Sequence, residues 1–451
     1  MAKKKQVIKS SRYLAVEALQ QIELDGTYSN LLLRDLIETH DISREESNLL
    51  TELVYGVLQR RMTLDYQLEP FINKQKKIDN WVVQLLRVSL YQMEYLDRIP
   101  DHAIINEAAN IGHVKGHRGV VGLINGVLRN IQRKGVRKPL DIKKTNQHLS
   151  IQYSLPLWLI DEFLDQLGEE KTEALAASLN ERPKVSLRVN LDRISRKEVI
   201  QELGEEGFEV SESKISPYGI VVEKGVPVKS RLFKEGYLSV QDESSMLVAP
   251  ALNVESDHLV LDACAAPGGK TMHIATNFLK ADNGGKVVAL DIHEHKIHLI
   301  NQNANRLEVR DVVETNKLDA REVLEKYPEE TFDRILVDAP CSGLGLMRRR
   351  PEIRYNKTKK DILSLQKLQL EILNEVSKTL KKGGELIYST CTITQLENQD
   401  VVEKFLEKNE AFSQITVELP ENELETDADG SITIYPYQYG TDGFFISRLT
   451  K

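Results

Sequence analysis

Ile335-Leu336-Val337-Asp338-Ala339-Pro340-Cys341-Ser342-Gly343 is a short apolar run that ends in an acid and breaks at proline. Such a run reads as a buried parallel strand whose carboxyl end opens into a loop. In open α/β sheets that edge is where ligands sit, and here it presents an Asp and a Cys side by side. Two further stretches repeat the pattern. Val260-Leu261-Asp262-Ala263-Cys264-Ala265-Ala266-Pro267-Gly268-Gly269-Lys270 runs from a strand into a glycine loop, and Leu386-Ile387-Tyr388-Ser389-Thr390-Cys391 ends another strand at a cysteine. A buried cysteine is commonly inert packing. The chain has only 3 cysteines in 451 residues, however, and all of them fall at strand ends in one region. That placement points to chemistry.

Working outward, strands are expected at 259–262, 286–291, 312–315, 334–337 and 385–389, with helices starting near Gly269, Glu294, Lys360 and Thr394. Alternating strand and helix means a parallel sheet covered on both faces. Phe444-Phe445-Ile446-Ser447-Arg448-Leu449 reads as an antiparallel edge strand closing this Rossmann-like α/β domain, expected over 236–451. Upstream, 150–235 mixes helix and strand signals, including the alternating Val185-Ser186-Leu187-Arg188-Val189-Asn190, and predicts a small α+β segment. Asp242 is expected to cap the helix that follows it. Residues 136–150, basic and polar with Pro139, read as a linker. Residues 1–140 carry apolar positions at helical spacing over 12–22, 31–37, 46–59, 81–96, 104–111 and 120–131. They predict an all-helical domain, in which Gly122 and Gly126 are spaced for close helix packing.

Composition sets limits. Charged residues at 28% and hydrophobic residues at 41% describe an ordinary soluble chain,. Three cysteines make no disulfide framework, and Met1-Ala2-Lys3-Lys4-Lys5 lacks the apolar stretch of a signal peptide, so a cytoplasmic protein without a membrane span is expected,. The net charge of -8 hides an asymmetry, because residues 1–150 hold 23 Lys+Arg against 17 Asp+Glu. Between 111 and 144 stand Lys115, Arg118, Arg129, Arg133, Lys134, Arg137, Lys138, Lys143 and Lys144, with Asp141 the single acid. A basic stripe on an acidic protein predicts a polyanion partner.

Gly269-Lys270-Thr271 matches the second half of a P-loop, but the first glycine would fall at 264, where Cys264 stands,. The GxGxxG fingerprint is also absent. Asp291 ends the second strand 29 residues after Asp262, where an acid commonly meets ribose hydroxyls. Asp319, after the third strand, is placed for an adenine edge. Acids on successive strand ends favour an adenosine-type cofactor.

Two cysteines and an acid around such a cofactor suit methylation of a pyrimidine at C5. That carbon is a poor nucleophile until a thiolate adds to C6 and makes the ring enamine-like. A neighbouring carboxyl steadies the adduct, and a second group assists release. The rival chemistry, adenine-N6 methylation, needs a polar-Pro-Pro-aromatic loop, which Pro340-Cys341 does not supply.

The strings DACAAPGGKT, LVDAPCSG, RRRPEIRY, YSTCTITQLEN and DGFF resemble those of S-adenosylmethionine-dependent RNA cytosine-C5 methyltransferases. The layout along the chain is similar to the Sun/Fmu branch, which carries a NusB-like amino-terminal domain. The resemblance implies Cys391 as nucleophile, Cys341 as the residue assisting product release, and Asp338 as contact to both base and cofactor. It implies that Cys264, Ala265, Ala266, Pro267, Gly268, Gly269 and Lys270 wrap the methionine end of S-adenosylmethionine. Asp291 and Asp319 are then expected at ribose and adenine. Arg188 to Asn190 and Gln241-Asp242 match family positions near RNA or cofactor, and Arg348, Arg349, Arg350 and Arg354 match a basic segment near RNA. The implied substrate is cytosine 967 of 16S ribosomal RNA, with a monomeric enzyme and no metal. The same chemistry on a tRNA or another rRNA cytosine is the nearest alternative, and a non-catalytic RNA-binding factor is the alternative of another class.

Overall fold

A computed structural model describes residues 6–72, 78–279, 283–419 and 424–451; Met1 to Lys5 lie outside the described residues. The chain forms two compact units, residues 1–180 with 349–356 and residues 181–348 with 357–451. No helix among the described residues is long and apolar enough to cross a membrane.

The first unit is helical. Ser11–Asp25, Ser29–His40, Arg44–Gln59, Asn80–Tyr95, Asp101–Lys115 and Arg118–Lys134 occupy the six expected stretches, most of them extended by a few residues and the fourth ending one residue early, at Tyr95. Ser10 and Ser43 begin two of them by accepting hydrogen bonds from the backbone N–H of Tyr13 and Glu46, which satisfies donors a helix start leaves free. One apolar stripe from each helix makes a common core including Leu14, Leu53, Val57, Leu86, Ile111 and Ile124. At Gly56 the packing is so close that a Cβ would overlap the Tyr91 ring. Gly122 and Gly126 do not behave that way, since a Cβ at either meets nothing within 4 Å. They lie on the solvent face of Arg118–Lys134, among Arg118, Arg129 and Arg133, while Val121, Ile124, Val127 and Leu128 turn inward. The expected linker is partly helix: Thr145–Tyr153 packs Leu149 inward and is followed by Leu157–Ser178.

In the second unit, β1 (Val185–Val189), β2 (Glu209–Glu212), β3 (Gly219–Lys224) and β4 (Leu238–Val240) form an antiparallel sheet ordered β2-β3-β1-β4. Leu187, Val189, Ile220 and Leu238 pack with Val199 and Leu203 of helix Arg196–Glu205. Alternation along the strands therefore sends Arg188 and Ser239, register partners, to the opposite face,.

The larger sheet contains β5 (Leu259–Asp262), β6 (Lys286–Asp291), β7 (Val313–Lys317), β8 (Phe332–Asp338), β9 (Leu380–Thr390), β10 (Ser413–Ile415), β11 (Ile432–Ile434) and β12 (Phe444–Thr450). Its order is β10-β12-β9-β8-β5-β6-β7, with β11 also on β12. The five strands β9-β8-β5-β6-β7, running to the β7 edge, are parallel. Neighbouring residues of each strand enter opposite cores: Val260 packs with Met272, Ala275 and Ile300 on one face, Leu261 with Leu373, Val376 and Phe405 on the other. β12 is antiparallel as expected, but it is not an edge. It pairs with β9 on one side and with β10 and β11 beyond, and its residues are buried up to Leu449. The two short covering strands are too brief and too irregular to read from sequence.

Candidate active site

From β5 the chain moves outward to β6 and β7, then returns to place β8 and β9 on the other side of β5. Loops at the carboxyl ends of β5 and β8 thus leave in opposite directions, and a crevice opens between them. Asp262 and Asp338 end those two strands.

After Asp262 comes the glycine loop, whose backbone leads into helix Gly269–Thr276. Gly268 has φ +99°, a conformation that favours glycine, and a Cβ on Gly269 would find nothing nearer than Gln241 Cδ at 4.0 Å,. The backbone there is open to a ligand. Asp262 is buried and accepts a hydrogen bond from Thr271 Oγ1 at 2.6 Å, while its Oδ1 has no partner. Burial, aided by the charge of Asp338, pushes its carboxyl up to about 7. The Cys264 thiol is also pushed up, first by burial and then by Asp262, Asp338, Asp291 and Asp319. Four acids from four strand ends therefore surround one point, and Cys264 is an un-ionised thiol among them.

Asp291 is buried, accepts from the His293 N–H at 2.9 Å and stands 3.7 Å from Lys296 Nζ. Asp319 caps the turn after it, accepting from Arg321 N, and the Arg321 guanidinium grips it at 2.7 Å. These hydrogen bonds hold its carboxyl below the usual range. Both oxygens of Asp319 are engaged by its own loop, whereas Asp262 keeps one unengaged.

Asp338 accepts from Lys270 Nζ at 2.7 Å and from Ser389 Oγ at 2.9 Å. Burial opposes the charge on Lys270, but Asp338 outweighs it, with Cys391 adding to the effect, and the ammonium is held above its ordinary range. Cys341 Sγ and Cys391 Sγ lie 3.2 Å apart, on the loops after β8 and β9. The hydrogen bond to Cys391, then burial, keeps the Cys341 thiol well above its usual range. Parallel pairing of β8 with β9 sets this neighbourhood, with Asp338 and Ser389 in register. Close backbone packing extends it: Gly345 N–H donates to Cys391 O, Gly443 N–H donates to Gly345 O, and a Cβ on Gly345 would overlap Gly443 O.

The structure brings Asp262, Cys264, Lys270, Asp291, Asp338, Cys341 and Cys391 to one sheet edge. Gln241 borders the glycine loop, and Asp242 caps its own turn by accepting from Ser244 N while also receiving Asp442 N–H. Arg188 reaches the loop from behind, donating to Gly269 O at 2.7 Å. Its burial and the nearby Arg306 lower its pKa to about 9. A cleft of about 650 Å³ lies on that rear side, lined by Arg188, Asn190, Tyr218, Ser239 and His273 among others, and includes neither thiol.

The arginine segment departs from expectation. Arg354 is 0% exposed, and its guanidinium donates to Gln59 O, Leu179 O and Asn180 Oδ1 within the helical unit. Glu352 is also buried and accepts from Ser29 N and Oγ. Arg348 is buried in the second unit and donates to Arg182 O. These are packing residues, because a guanidinium ringed by carbonyls has no face left for a phosphate. The basic stripe divides similarly. Lys115 pairs with Glu17 and Arg137 with Glu69, while Arg118, Arg129, Arg133, Lys134, Lys143 and Lys144 are exposed, as is Lys138 beside Glu94.

Sequence reasoning missed Glu397, 0% exposed, which links the two cysteine loops. Thr394-Gln395-Leu396-Glu397 has the spacing of a helix-start capping box, a local signal that conceals a non-local role.

Comparison with known proteins gives one picture across the chain. Residues 249–450 match the model for 16S rRNA methyltransferase RsmB/F, residues 9–133 the NusB family, and residues 155–229 the RsmF/B-like ferredoxin-like domain. The "probable ribosomal RNA small subunit methyltransferase B" of Bacillus subtilis (strain 168) is 45% identical over 445 residues, covering 98% of this chain and 99% of the relative. The ribosomal RNA small subunit methyltransferase B of Shewanella oneidensis is 34% identical, again over 98% of this chain and 99% of its own. Among solved structures, PH0851 superposes with a TM-score of 0.82 at 27% identity, covering 98% of this chain and 99% of that one.

Proposed function

The chain belongs to the ribosomal RNA small subunit methyltransferase B family of 16S rRNA methyltransferases, and from that premise we propose that it methylates cytosine C5 through a covalent Cys391–C6 adduct. The proposed target is cytosine 967, with S-adenosylmethionine as the methyl donor. The observation that carries the proposal is the pair of thiols 3.2 Å apart beside the Asp338–Lys270 ion pair.

When bound, S-adenosylmethionine supplies an electrophilic methyl group. The residues that would hold it are the open Gly268–Gly269 backbone, the unengaged oxygen of Asp262, and Asp291 and Asp319 further along the edge. An acidic ring suits a cofactor carrying positive charge at one end and hydroxyls in the middle. Asp319, already engaged by Arg321, contributes mainly through its charge.

In the chemical step, Cys391 as thiolate forms the bond to C6, and the displaced π electrons make C5 nucleophilic. Asp338, fixed by Lys270 and Ser389, offers its carboxyl edge to the pyrimidine N3/N4 side. After methyl transfer a water molecule takes the C5 proton, the C5–H bonding pair returns to the ring, and Cys391 is expelled as thiolate. Cys341, a protonated neighbour of the leaving sulfur, donates its S–H hydrogen bond to that thiolate and so assists its departure. The target base must leave its stack to reach this crevice, which costs least in an RNA loop.

The test is transfer of labelled methyl to unmodified 16S rRNA by the full chain, with Cys391→Ala as control. Label at C5 of a single cytosine, lost in the control, is the expected result. Label on tRNA alone discards the substrate and keeps the chemistry, whereas no label on either RNA refutes the proposal.

A further inference from the structure

Glu397 lies between the two cysteine loops with every carboxylate bond directed to one or the other, or to the helix behind them. Ser342, next to Cys341, donates its backbone N–H to Oε1 at 2.8 Å and its hydroxyl to Oε2 at 2.5 Å. From the loop after Cys391, Thr392 Oγ1 and Thr394 Oγ1 each donate to Oε2 at 3.2 Å. Gln369, on helix Lys359–Lys378, donates to Oε1 at 3.1 Å and to Pro340 O at 3.0 Å. Ser342 Oγ and Thr392 Oγ1 also lie 2.9 Å apart. The next residue continues the arrangement: Asn398 donates to Thr392 O and accepts from Thr390 Oγ1.

A buried carboxylate is expensive unless its lone pairs are satisfied, and this one has five donors from three chain segments. Two loops leaving neighbouring strands have no covalent reason to keep two sulfurs within bonding reach. We infer that Glu397 is a positioning residue that clamps the Cys341 loop to the Cys391 loop and so sets the distance between the two thiols. Its hydrogen bonds go neither to the glycine loop nor to Asp338, so its influence is confined to the steps in which the thiols act together. The inference rests on the two-thiol reading above. It adds that release of the methylated product depends on a carboxylate outside both cysteine motifs.

The thiol separation is measurable without RNA. Diamide accepts two electrons and two protons from a dithiol, forming the S–S bond and becoming the corresponding hydrazine. In the full chain, the expected product is a Cys341–Cys391 disulfide, located by peptide mapping. Glu397→Ala should form it about tenfold more slowly, in keeping with the steep dependence of intramolecular reaction on placement. Glu397→Gln should recover much of the rate, since its amide oxygen still accepts from Ser342 N. Should Glu397→Ala fail to fold, Ser342→Ala, which removes only the hydroxyl link, should slow the reaction about threefold.

With RNA, Glu397→Ala should keep the first methyl transfer, lose turnover about tenfold and accumulate protein–RNA adduct, and it should add little to Cys341→Ala in the double variant. S-adenosylhomocysteine should bind it as it binds the unaltered chain. Oxidation of Glu397→Ala at the unaltered rate, equal slowing by Ala and Gln, or full additivity with Cys341→Ala would each overturn the inference. If the unaltered chain oxidises as described but methylates no RNA, the functional proposal fails while the clamp stands.

Discussion

Replacing Arg354 by leucine separates two roles for one residue. As an RNA contact, Arg354 would contribute to affinity and little to stability. As a packed residue, it donates to Gln59 O at 3.2 Å, Leu179 O at 3.1 Å and Asn180 Oδ1 at 2.9 Å from a fully buried position. Each acceptor left unpaired costs roughly 1–3 kcal/mol. Burial lowers the pKa of Arg354, so removing its charge returns part of that cost. The net expectation for Arg354→Leu is a loss of about 4 kcal/mol, in the range for breaking a buried charged cluster. Both tryptophans of the chain, Trp81 and Trp158, lie in the helical unit, so indole emission during urea denaturation reports that unit alone. With a slope of about 2 kcal/mol per molar urea, the midpoint should fall by roughly 2 M. RNA binding, measured where the variant is folded, should keep its salt slope. An unchanged midpoint together with a shallower salt slope would refute the packing role and restore the RNA contact.

Three further outcomes are expected. Cys391→Ala should abolish methyl transfer, whereas Cys341→Ala should complete one transfer and remain covalently attached to RNA on a denaturing gel; the reverse pattern would exchange the two roles. The raised carboxyl of Asp262 means that the folded chain binds a proton the unfolded chain has released between about 4 and 7. Stability of the cofactor-free catalytic unit should therefore fall as pH rises across that window, by roughly 4 kcal/mol, and Asp262→Asn should flatten the fall, followed by circular dichroism. Neutralising Arg118, Arg129, Arg133 and Lys134 should make RNA binding less salt-dependent, by about one slope unit for each phosphate no longer neutralised. The same change at Arg137, which pairs with Glu69 and stacks on Tyr66 at 3.6 Å, should cost stability instead.

The catalytic sheet is readable because its signals are local. Strand ends at Asp262 and Asp291 fall where the apolar runs stop, and the three cysteines mark the edge the ligand must share. What stays hidden depends on partners distant in sequence. Arg354 carries the same local signal as an RNA-binding arginine, and only the carbonyls of Gln59, Leu179 and Asn180 reveal its packing role. Glu397 sits in a capping-box pattern yet spends its carboxylate on a loop 55 residues away. The glycines at 122 and 126 have a spacing associated with close helix packing, but that spacing does not say which face of the helix is covered. β12 reads as an edge because three-residue partners such as Ile432–Ile434 fall below any periodic signal.

The helical unit is not contiguous in the chain: residues 349–356 complete it after the first four strands of the larger sheet, β5 to β8, have passed. Emerging from a ribosome, the first 180 residues would wait without Glu352 and Arg354, leaving Ser29 and the carbonyls of Gln59 and Leu179 without those side chains. The helical unit is therefore complete only once residues 349–356 have been synthesised. A gene fusion that transplanted residues 1–180 would carry an unfinished module, and shuffling either half as a cassette would break the other.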